Sequence, residues 1–115
     1  MALLKMLKES EQERECWENC HDGIGTLYGE SLLTQFDPKR IQFINRHIMA
    51  RGTSIGEHAH NGEEEVYYLV EGSGILIFDG EEYPFEKGDI SLVRDGHSHG
   101  FISTAEEAVL LVICA

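Results

Sequence analysis

The chain has 115 residues, of which 42% are hydrophobic and 26% are charged, and its net charge is −12. These values are typical of one globular domain with its own core and exclude a disordered chain. The negative charge argues against nucleic acid and anionic membranes as partners, because both attract clustered Lys and Arg. Three cysteines and the lack of an apolar run of about 18 residues favour a reduced, cytoplasmic protein.

The first twenty residues contain neither Gly nor Pro and are rich in helix-forming residues. Ser10 and Glu13 have the spacing of a capping box, which predicts a short helix that begins there and runs toward Asn19. Three leucines before this point are spaced to form an apolar stripe on a preceding turn or helix: Leu3, Leu4 and Leu7.

From about residue 24 onward, short apolar runs alternate with glycines, as is typical of strands. The run from Glu65 to Val70 is rich in β-branched and aromatic residues. Asp79-Gly80 lies between two such runs, which predicts a hairpin. Many short strands without an intervening helix predict an all-β fold, either a closed barrel or a jelly roll.

Two histidines, His58 and His60, stand just before a run of three glutamates. In an extended chain, residues two apart project to the same face, so the two imidazoles can bind one divalent transition metal. A following carboxylate and a histidine from His97 or His99 would complete the ligand set. Each motif alone is more often exposed polar sequence than a functional site. Their combination in a β-only region nevertheless favours a metal site.

These residues resemble the first motif of the cupins, which are small double-stranded β-helix barrels of the jelly-roll type. That motif begins with a glycine, which is followed at defined spacings by the pair HxH, a glutamate and a second glycine. Here Gly52, His58, His60, Glu65 and Gly72 match it in full.

The second cupin motif is matched with two departures. Gly88, the loop Arg94–Gly96 and His99 have the expected spacing. Arg94 replaces the usual proline, and Ser103 stands in place of the usual asparagine. Both departures bear on the shape of the pocket more than on the ligand set.

The resemblance implies a barrel over residues 40–115 and does not explain residues 1–39. We expect those residues to form a helical or extended segment that packs on the barrel or on the partner in a homodimer. It also implies one bound metal, for which Mn, Fe, Ni, Co and Zn are all suited to the donor atoms. Open coordination positions would face the barrel mouth and receive a small molecule. The four implied metal ligands are His58, His60, Glu65 and His99.

The motif places its glutamate six residues before the second glycine, so the resemblance implies that Glu65 is the ligand and that Glu63 and Glu64 are solvated turn residues. A proton-transfer role would fall to Glu65 itself or to a tyrosine. Tyr67 shares the alternation of Glu65 and is expected to line the pocket. Tyr68 then faces the opposite layer or a partner subunit.

Three further residues have two interpretations each. His97 is in phase with His99 and is either a rim residue or an alternative ligand. His47 either faces the pocket or is a hydrogen-bonded structural histidine. Arg94 is either a solvated loop residue or a positive group at the pocket mouth that suits an anionic substrate.

The N-terminal region also contains Cys16, Cys20 and His21, which invite the hypothesis of a second metal site. The spacing of the cysteines fits neither a zinc knuckle nor a redox pair, so free thiols are predicted. Trp17 is expected to pack this region against the barrel.

Two classes of function agree with these features. The leading hypothesis is a metal-dependent enzyme that acts on a small organic molecule, of oxygenase, decarboxylase, isomerase or lyase type, among which fold and ligands do not choose. The alternative is a metal-binding or ligand-sensing module without turnover, which would need a partner to reach DNA. The intact ligand set argues against a storage barrel without metal.

Overall fold

The computed structural model describes residues 4–115, which form ten strands and three one-turn 3₁₀ helices. Every pair of neighbouring strands is antiparallel. The strands are β1 Arg14–Glu18, β2 Thr26–Ser31, β3 Phe43–Ala50, β4 Ser54–Ala59, β5 Glu65–Glu71, β6 Ser73–Phe78, β7 Glu81–Glu86, β8 Ile90–Val93, β9 Ser98–Ser103 and β10 Glu107–Cys114. The 3₁₀ helices span Glu9–Glu11, Cys20–Asp22 and Thr34–Phe36.

The strands form two sheets around one core. The larger sheet has the order β1-β2-β3-β10-β5-β8, and the smaller one has the order β4-β9-β6-β7. Buried side chains of both sheets form a single cluster, which includes Met49 and Leu110 from the larger sheet and Phe101 from the smaller one. The predicted all-β jelly roll is confirmed.

Alternation along the central strands decides which side chains reach the interior. In β10 the even-numbered residues from Ala108 to Cys114 are buried, while the residues between them are only half-buried. In β5 the same alternation buries Glu65, Tyr67 and Leu69. One face of each strand therefore builds the core and, near the start of β5, the wall of a cavity.

The predicted hairpin at Asp79-Gly80 is also confirmed. Phe78 pairs with Glu81, so the two residues between them form the whole connection from β6 to β7. Both have positive φ, 48° for Asp79 and 80° for Gly80. This is the backbone that a tight hairpin turn requires.

The helix predicted from Ser10 toward Asn19 is wrong. Glu9–Glu11 is one 3₁₀ turn, and β1 pairs along its whole length with β2. Helix propensity is worth only a few tenths of a kcal/mol per residue, so tertiary contacts readily override it. The contact that does so here is Trp17, which lies opposite Leu27 and packs against the core.

The leucine stripe predicted before this strand is not helical in the described residues. Leu4 is exposed and Leu7 is half-buried, and both lie in irregular backbone. Leu3 lies outside the described residues. Among residues 4–115, no helix is long and apolar enough to cross a lipid bilayer.

The N-terminal region lies directly on the barrel of its own chain. Strand β2 pairs with β3, and the Cys20–Asp22 turn lies against β4. Two glycines allow this close approach, since a Cβ atom on Gly56 would lie 2.0 Å from the carbonyl oxygen of His21, and one on Gly23 would lie 2.1 Å from that of Ser54. The division of the chain between residues 39 and 40 stays a prediction.

Candidate metal centre

Four side chains from three strand regions converge at one end of the core. His58 lies near the end of β4, and His60 follows that strand directly. His99 lies on β9 opposite His58, and Glu65 begins β5 in the other sheet. One nitrogen or oxygen atom from each of them lies within 4.8 Å of all the others. The structure therefore brings together the four residues that were predicted as ligands.

The Glu65 carboxylate is at the centre of this cluster. Its Oε1 atom lies 2.8 Å from Nε2 of His99, 3.5 Å from Nε2 of His60 and 3.8 Å from Nε2 of His58. The Nε2 atoms of His60 and His99 are 3.1 Å apart. Three imidazole nitrogens of the same type thus point at one carboxylate oxygen.

The outward-facing nitrogens of two histidines are held by hydrogen bonds. Nδ1 of His58 donates to the Gly56 carbonyl oxygen at 2.7 Å, and Nδ1 of His60 donates to Oε1 of Glu63 at 3.0 Å. A proton on Nδ1 leaves the Nε2 lone pair directed into the cluster. Such outer contacts are typical of metal-binding histidines.

Electrostatics keep the central carboxylate ionised. Burial by itself would raise the pKa of Glu65, but the neighbouring imidazoles of His58, His99 and His60 outweigh it and bring this pKa to about 2. The carboxylate is therefore negatively charged at neutral pH although only 4% of Glu65 is exposed. A buried anion surrounded by imidazoles is favourable for a cation.

The donor set fits a divalent transition metal. Neutral imidazole and carboxylate groups suit the first-row metals and zinc. Nε2 of His58 is buried, points into the cluster and has no hydrogen-bond partner among the described residues. A metal ion is a partner that such an orphaned lone pair can take. These donors do not select one metal.

Glu63 has a different environment from the one predicted. Its side chain is only 29% exposed and accepts the hydrogen bond from His60, so the expectation of a solvated turn residue is wrong for Glu63. Atoms of His60, Glu63 and Cys114 lie within 4.8 Å of one another, because the C-terminal end of β10 lies beside the turn. Glu64 is exposed, as predicted.

Two aromatic contacts hold the rings of the cluster. The ring of Tyr67 stacks on His99 with a centroid distance of 3.9 Å and an interplanar angle of 9°. The ring of His21 stacks on His58 at 3.5 Å and 11°. His21 has a left-handed φ of 49° in the Cys20–Asp22 turn between β1 and β2. In the sequence it stands out only beside Cys16 and Cys20, so its contact with the cluster was not predicted.

A cavity of about 140 Å³ opens beside the cluster. Residues from both sheets and from the N-terminal region line it: Trp17, Cys20, His21, Phe43, Asn45, His47, Ile55, His58, Glu65, Tyr67 and Val112. Tyr67 therefore lines the pocket, as predicted. His47 also faces this pocket rather than serving as a hydrogen-bonded structural residue, and burial lowers its pKa to about 4.

The remaining candidates lie away from the cavity. His97 binds the carboxylate of Asp79 at 2.7 Å and is half exposed. Arg94 lines a separate cleft beside Glu64 and Asp95. Ser103, a departure from the second motif, is buried and donates to the carbonyl oxygen of Met49.

The three cysteines are free, as predicted. Cys16 is exposed, Cys20 is half-buried at the cavity wall and Cys114 is buried. Burial, followed by the carboxylates of Glu63 and Glu65, raises the pKa of Cys114 to about 12. The thiol of Cys114 is therefore protonated at neutral pH.

Two curated proteins are similar to this chain over most of its length. An oxalate-binding protein from Thermotoga maritima is 29% identical over 100 residues, which cover 86% of this chain and 83% of that protein. The pectin degradation protein KdgF from Dickeya dadantii is 25% identical over 95 residues, which cover 83% and 80% of the two chains.

A solved structure is similar in both fold and sequence. The crystal structure of a predicted oxalate decarboxylase from Thermotoga maritima superposes with a TM-score of 0.86 and 27% identity, covering 99% of this chain and 97% of that one. The model of the cupin domain matches residues 45–114, which is more than half of the chain. The chain belongs to the cupin family.

Proposed function

We propose that this protein is a metal-dependent enzyme that acts on a small organic acid in the cavity beside the histidine cluster. The observation that supports it is the convergence of three imidazole nitrogens and one ionised carboxylate on a single point. In this proposal the metal ligands are His58, His60, Glu65 and His99. A bound divalent ion would supply Lewis acidity, and a redox-active one would also supply electron transfer.

The cavity suits small molecules because it measures only about 140 Å³. Within it, Tyr67 offers a phenolic hydroxyl as a hydrogen-bond or proton donor. Glu65 is the second candidate for proton transfer, but its low pKa of about 2 makes it a poor base as long as it stays bound in the cluster.

The relatives support an acid as the ligand. One is named for binding oxalate, and the solved structure is described as a predicted oxalate decarboxylase. A carboxylate is also the group expected at a bound metal ion in a pocket whose lining residues, apart from Glu65, include no carboxylate, Lys or Arg. An activity assay decides the class of reaction, which is of oxygenase, decarboxylase, isomerase or lyase type.

A second candidate function is ligand binding without turnover. The name of the oxalate-binding relative favours it directly. In that case the same four residues would hold the metal, and the small acid would be a signal or a cargo molecule rather than a substrate.

We also propose that the protein forms a homodimer through the outer face of the larger sheet. Tyr68 points outward there, away from the cavity, and lies opposite Ile90 on the neighbouring strand. Tyr68 is 37% exposed, Ile90 67% and Leu92 42%. Apolar side chains that adjoin one another on a sheet surface are typical of association sites.

The metal assignment is tested by elemental analysis of protein purified without added metal. His58→Ala is expected to lose bound transition metal, whereas His97→Ala, which removes a histidine outside the cluster, should retain it. Equal metal content in the native protein and both variants would disprove the assignment. So would native protein without stoichiometric metal after incubation with Mn²⁺, Co²⁺ and Zn²⁺.

Enzyme and binding module are distinguished with the metal-loaded protein. We expect turnover of at least one member of a panel of small hydroxy, oxo and dicarboxylic acids, with dioxygen uptake and carbon dioxide release followed separately. Saturable binding of an acid that is recovered unchanged after long incubation would favour the binding module.

A further inference from the structure

Three polar atoms in the cavity lack a partner. Oδ1 of Asn45, Nδ1 of His47 and Oη of Tyr67 are buried and make no hydrogen bond to any described residue. All three residues line the same cavity as His58 and Glu65. Buried polar atoms are nearly always hydrogen-bonded, so three orphaned atoms around one cavity indicate a place for a polar ligand.

The strand register explains why Asn45 and Tyr67 face the same cavity. Asn45 and Tyr67 both pair with Val112, from opposite sides, so they form one row across β3, β10 and β5. Adjacent strands are about 4.8 Å apart, which places the backbones of Asn45 and Tyr67 roughly 10 Å from each other. Val112 lies between them on β10 and also lines the cavity.

Aromatic contacts hold two of the three side chains in position. Trp17 contacts the ring of His47 edge-on, with centroids 4.5 Å apart. Tyr67 stacks on His99. His47 is 3% exposed and Tyr67 is fully buried. Their polar atoms are thus held in place before any ligand binds, which lowers the entropic cost of binding.

The charges around the cavity restrict the ligand further. Among the residues that line it within the described chain, there is no Lys or Arg, and Glu65 is the one carboxylate. A divalent ion bound by one carboxylate and neutral imidazoles has a local charge of +1. One carboxylate on the ligand neutralises this charge, whereas a second would be buried without a cation.

We propose that Asn45, His47 and Tyr67 form a neutral polar subsite for the uncharged hydroxyl or carbonyl oxygen of a small hydroxy- or oxo-monocarboxylate. The carboxylate of that ligand binds at the histidine cluster. This inference rests on the proposed function and deepens it, because it names the substrate class and separates it from a dicarboxylate such as oxalate.

The test compares two probes that differ by one hydroxyl group, glycolate and acetate. Their dissociation constants are measured by calorimetry on Co²⁺-loaded protein, with metal content checked for each variant. In wild-type protein glycolate should bind more tightly than acetate. The advantage of glycolate should fall about tenfold in Tyr67→Phe and in Asn45→Ala, as expected for one lost hydrogen bond.

Tyr68→Phe is the matched control, because it removes the same hydroxyl from the adjacent residue, which faces outward. It should leave the ratio of the two dissociation constants unchanged. Two substituted positions, one on β3 and one on β5, keep the test decisive if one variant folds poorly.

The outcomes separate the two proposals. If metal-loaded wild-type protein binds neither probe, both the small-acid function and the subsite are disproved. If it binds glycolate but the ratio is the same in Tyr67→Phe and Asn45→Ala, the subsite is disproved and the function stands; a water-filled cavity would give this result. The affinity of each acid for the protein is also divided by its affinity for free Co²⁺. If this ratio is larger for oxalate than for glycolate, the choice of a monocarboxylate is wrong.

Discussion

Nδ1 of His60 donates a hydrogen bond to Oε1 of Glu63 over 3.0 Å, and Nε2 of the same ring points at the Glu65 carboxylate. Two glutamates two residues apart thus engage opposite edges of one imidazole. One belongs to the proposed ligand set, and the other orients the ring. This relation makes Glu63 a positioning residue and leads to the first prediction.

Replacing Glu63 with Gln should weaken metal binding by about tenfold, because the charged acceptor that orients the His60 ring is lost. Metal affinity is measured by competition with a chromophoric chelator at neutral pH. Glu64→Gln is the matched control, since Glu64 is adjacent and exposed, and its affinity should be that of the wild type. Equal affinities for all three proteins would refute the positioning role.

The close contact of the Cys20–Asp22 turn with β4 gives the second prediction. A Cβ on Gly56 would meet the backbone oxygen of His21 at 2.0 Å, so Gly56→Ala must displace the turn. We expect a loss of about 1–3 kcal/mol in the free energy of unfolding. The His21 ring should also leave the His58 ring, which would shift the histidine resonances in NMR spectra.

Gly62→Ala separates this steric effect from backbone strain. Gly62 has a φ of 77°, and no atom lies within 4 Å of the position that a Cβ would take, so the substitution costs only the strain of a left-handed backbone, about 1 kcal/mol. Urea unfolding should therefore rank Gly56→Ala as the less stable variant. The reverse order would mean that the turn moves freely on β4.

A buried ion pair on β2 and β3 gives the third prediction. The Glu30 carboxylate is 1% exposed and accepts two hydrogen bonds from Arg46, at 2.9 and 3.0 Å. The hydrogen bond from Arg46 lowers the pKa of Glu30 below its usual 4.5. Burial opposes this shift, and the charges of Arg46 and Arg14 add to it. The ionised carboxylate therefore stabilises the fold above pH 4.5, and this contribution is lost as the pH falls through the lowered pKa.

Glu30→Gln should thus reduce the free energy of unfolding by on the order of 2 kcal/mol at neutral pH. The difference from wild type should shrink once the pH drops below 4.5. Urea unfolding across this pH range measures it, with the exposed Glu13→Gln as control. A difference that is constant with pH would show that the ion pair contributes no pH-dependent stability.

The fourth prediction concerns the proposed dimer. Ile90→Glu places a charge on the outer apolar face, next to Tyr68, and the dissociation constant of the dimer should rise at least tenfold because that charge would have to be buried. Sedimentation velocity at several protein concentrations measures it. Ile24→Glu is the control, since Ile24 is equally exposed, at 69%, but lies outside the strands of that face. Wild-type protein that stays monomeric at high concentration would rule the dimer out.

Much of the candidate site could be predicted from the sequence because its information is local. Alternation puts His58 and His60 on one face of a strand, which is enough to predict a metal site there. Glycines at strand ends and β-rich runs were enough to predict an all-β fold, either a closed barrel or a jelly roll, and the resemblance to the cupins selected the jelly roll. The resemblance to the cupin motifs was required to select Glu65 among three glutamates, and to select His99, which lies far along the chain, over His97.

Other features depended on contacts between distant segments. Residues 14–18 were predicted as helix and form a strand, because pairing with β2 packs Trp17 on the core. Weak local propensity cannot anticipate such a pairing. The same is true of Glu63, whose carboxylate accepts a hydrogen bond from His60 beside the C-terminal end of β10.

The sequence by itself determined the fold class and the set of side chains able to hold a metal, because strand alternation and motif spacing are properties of neighbouring residues. The tertiary structure alone decided what surrounds that set. Strand register placed Asn45, His47 and Tyr67 around one cavity, and the N-terminal strand closed it with Trp17. Register arises from the packing of whole sheets, so no short stretch of sequence encodes it.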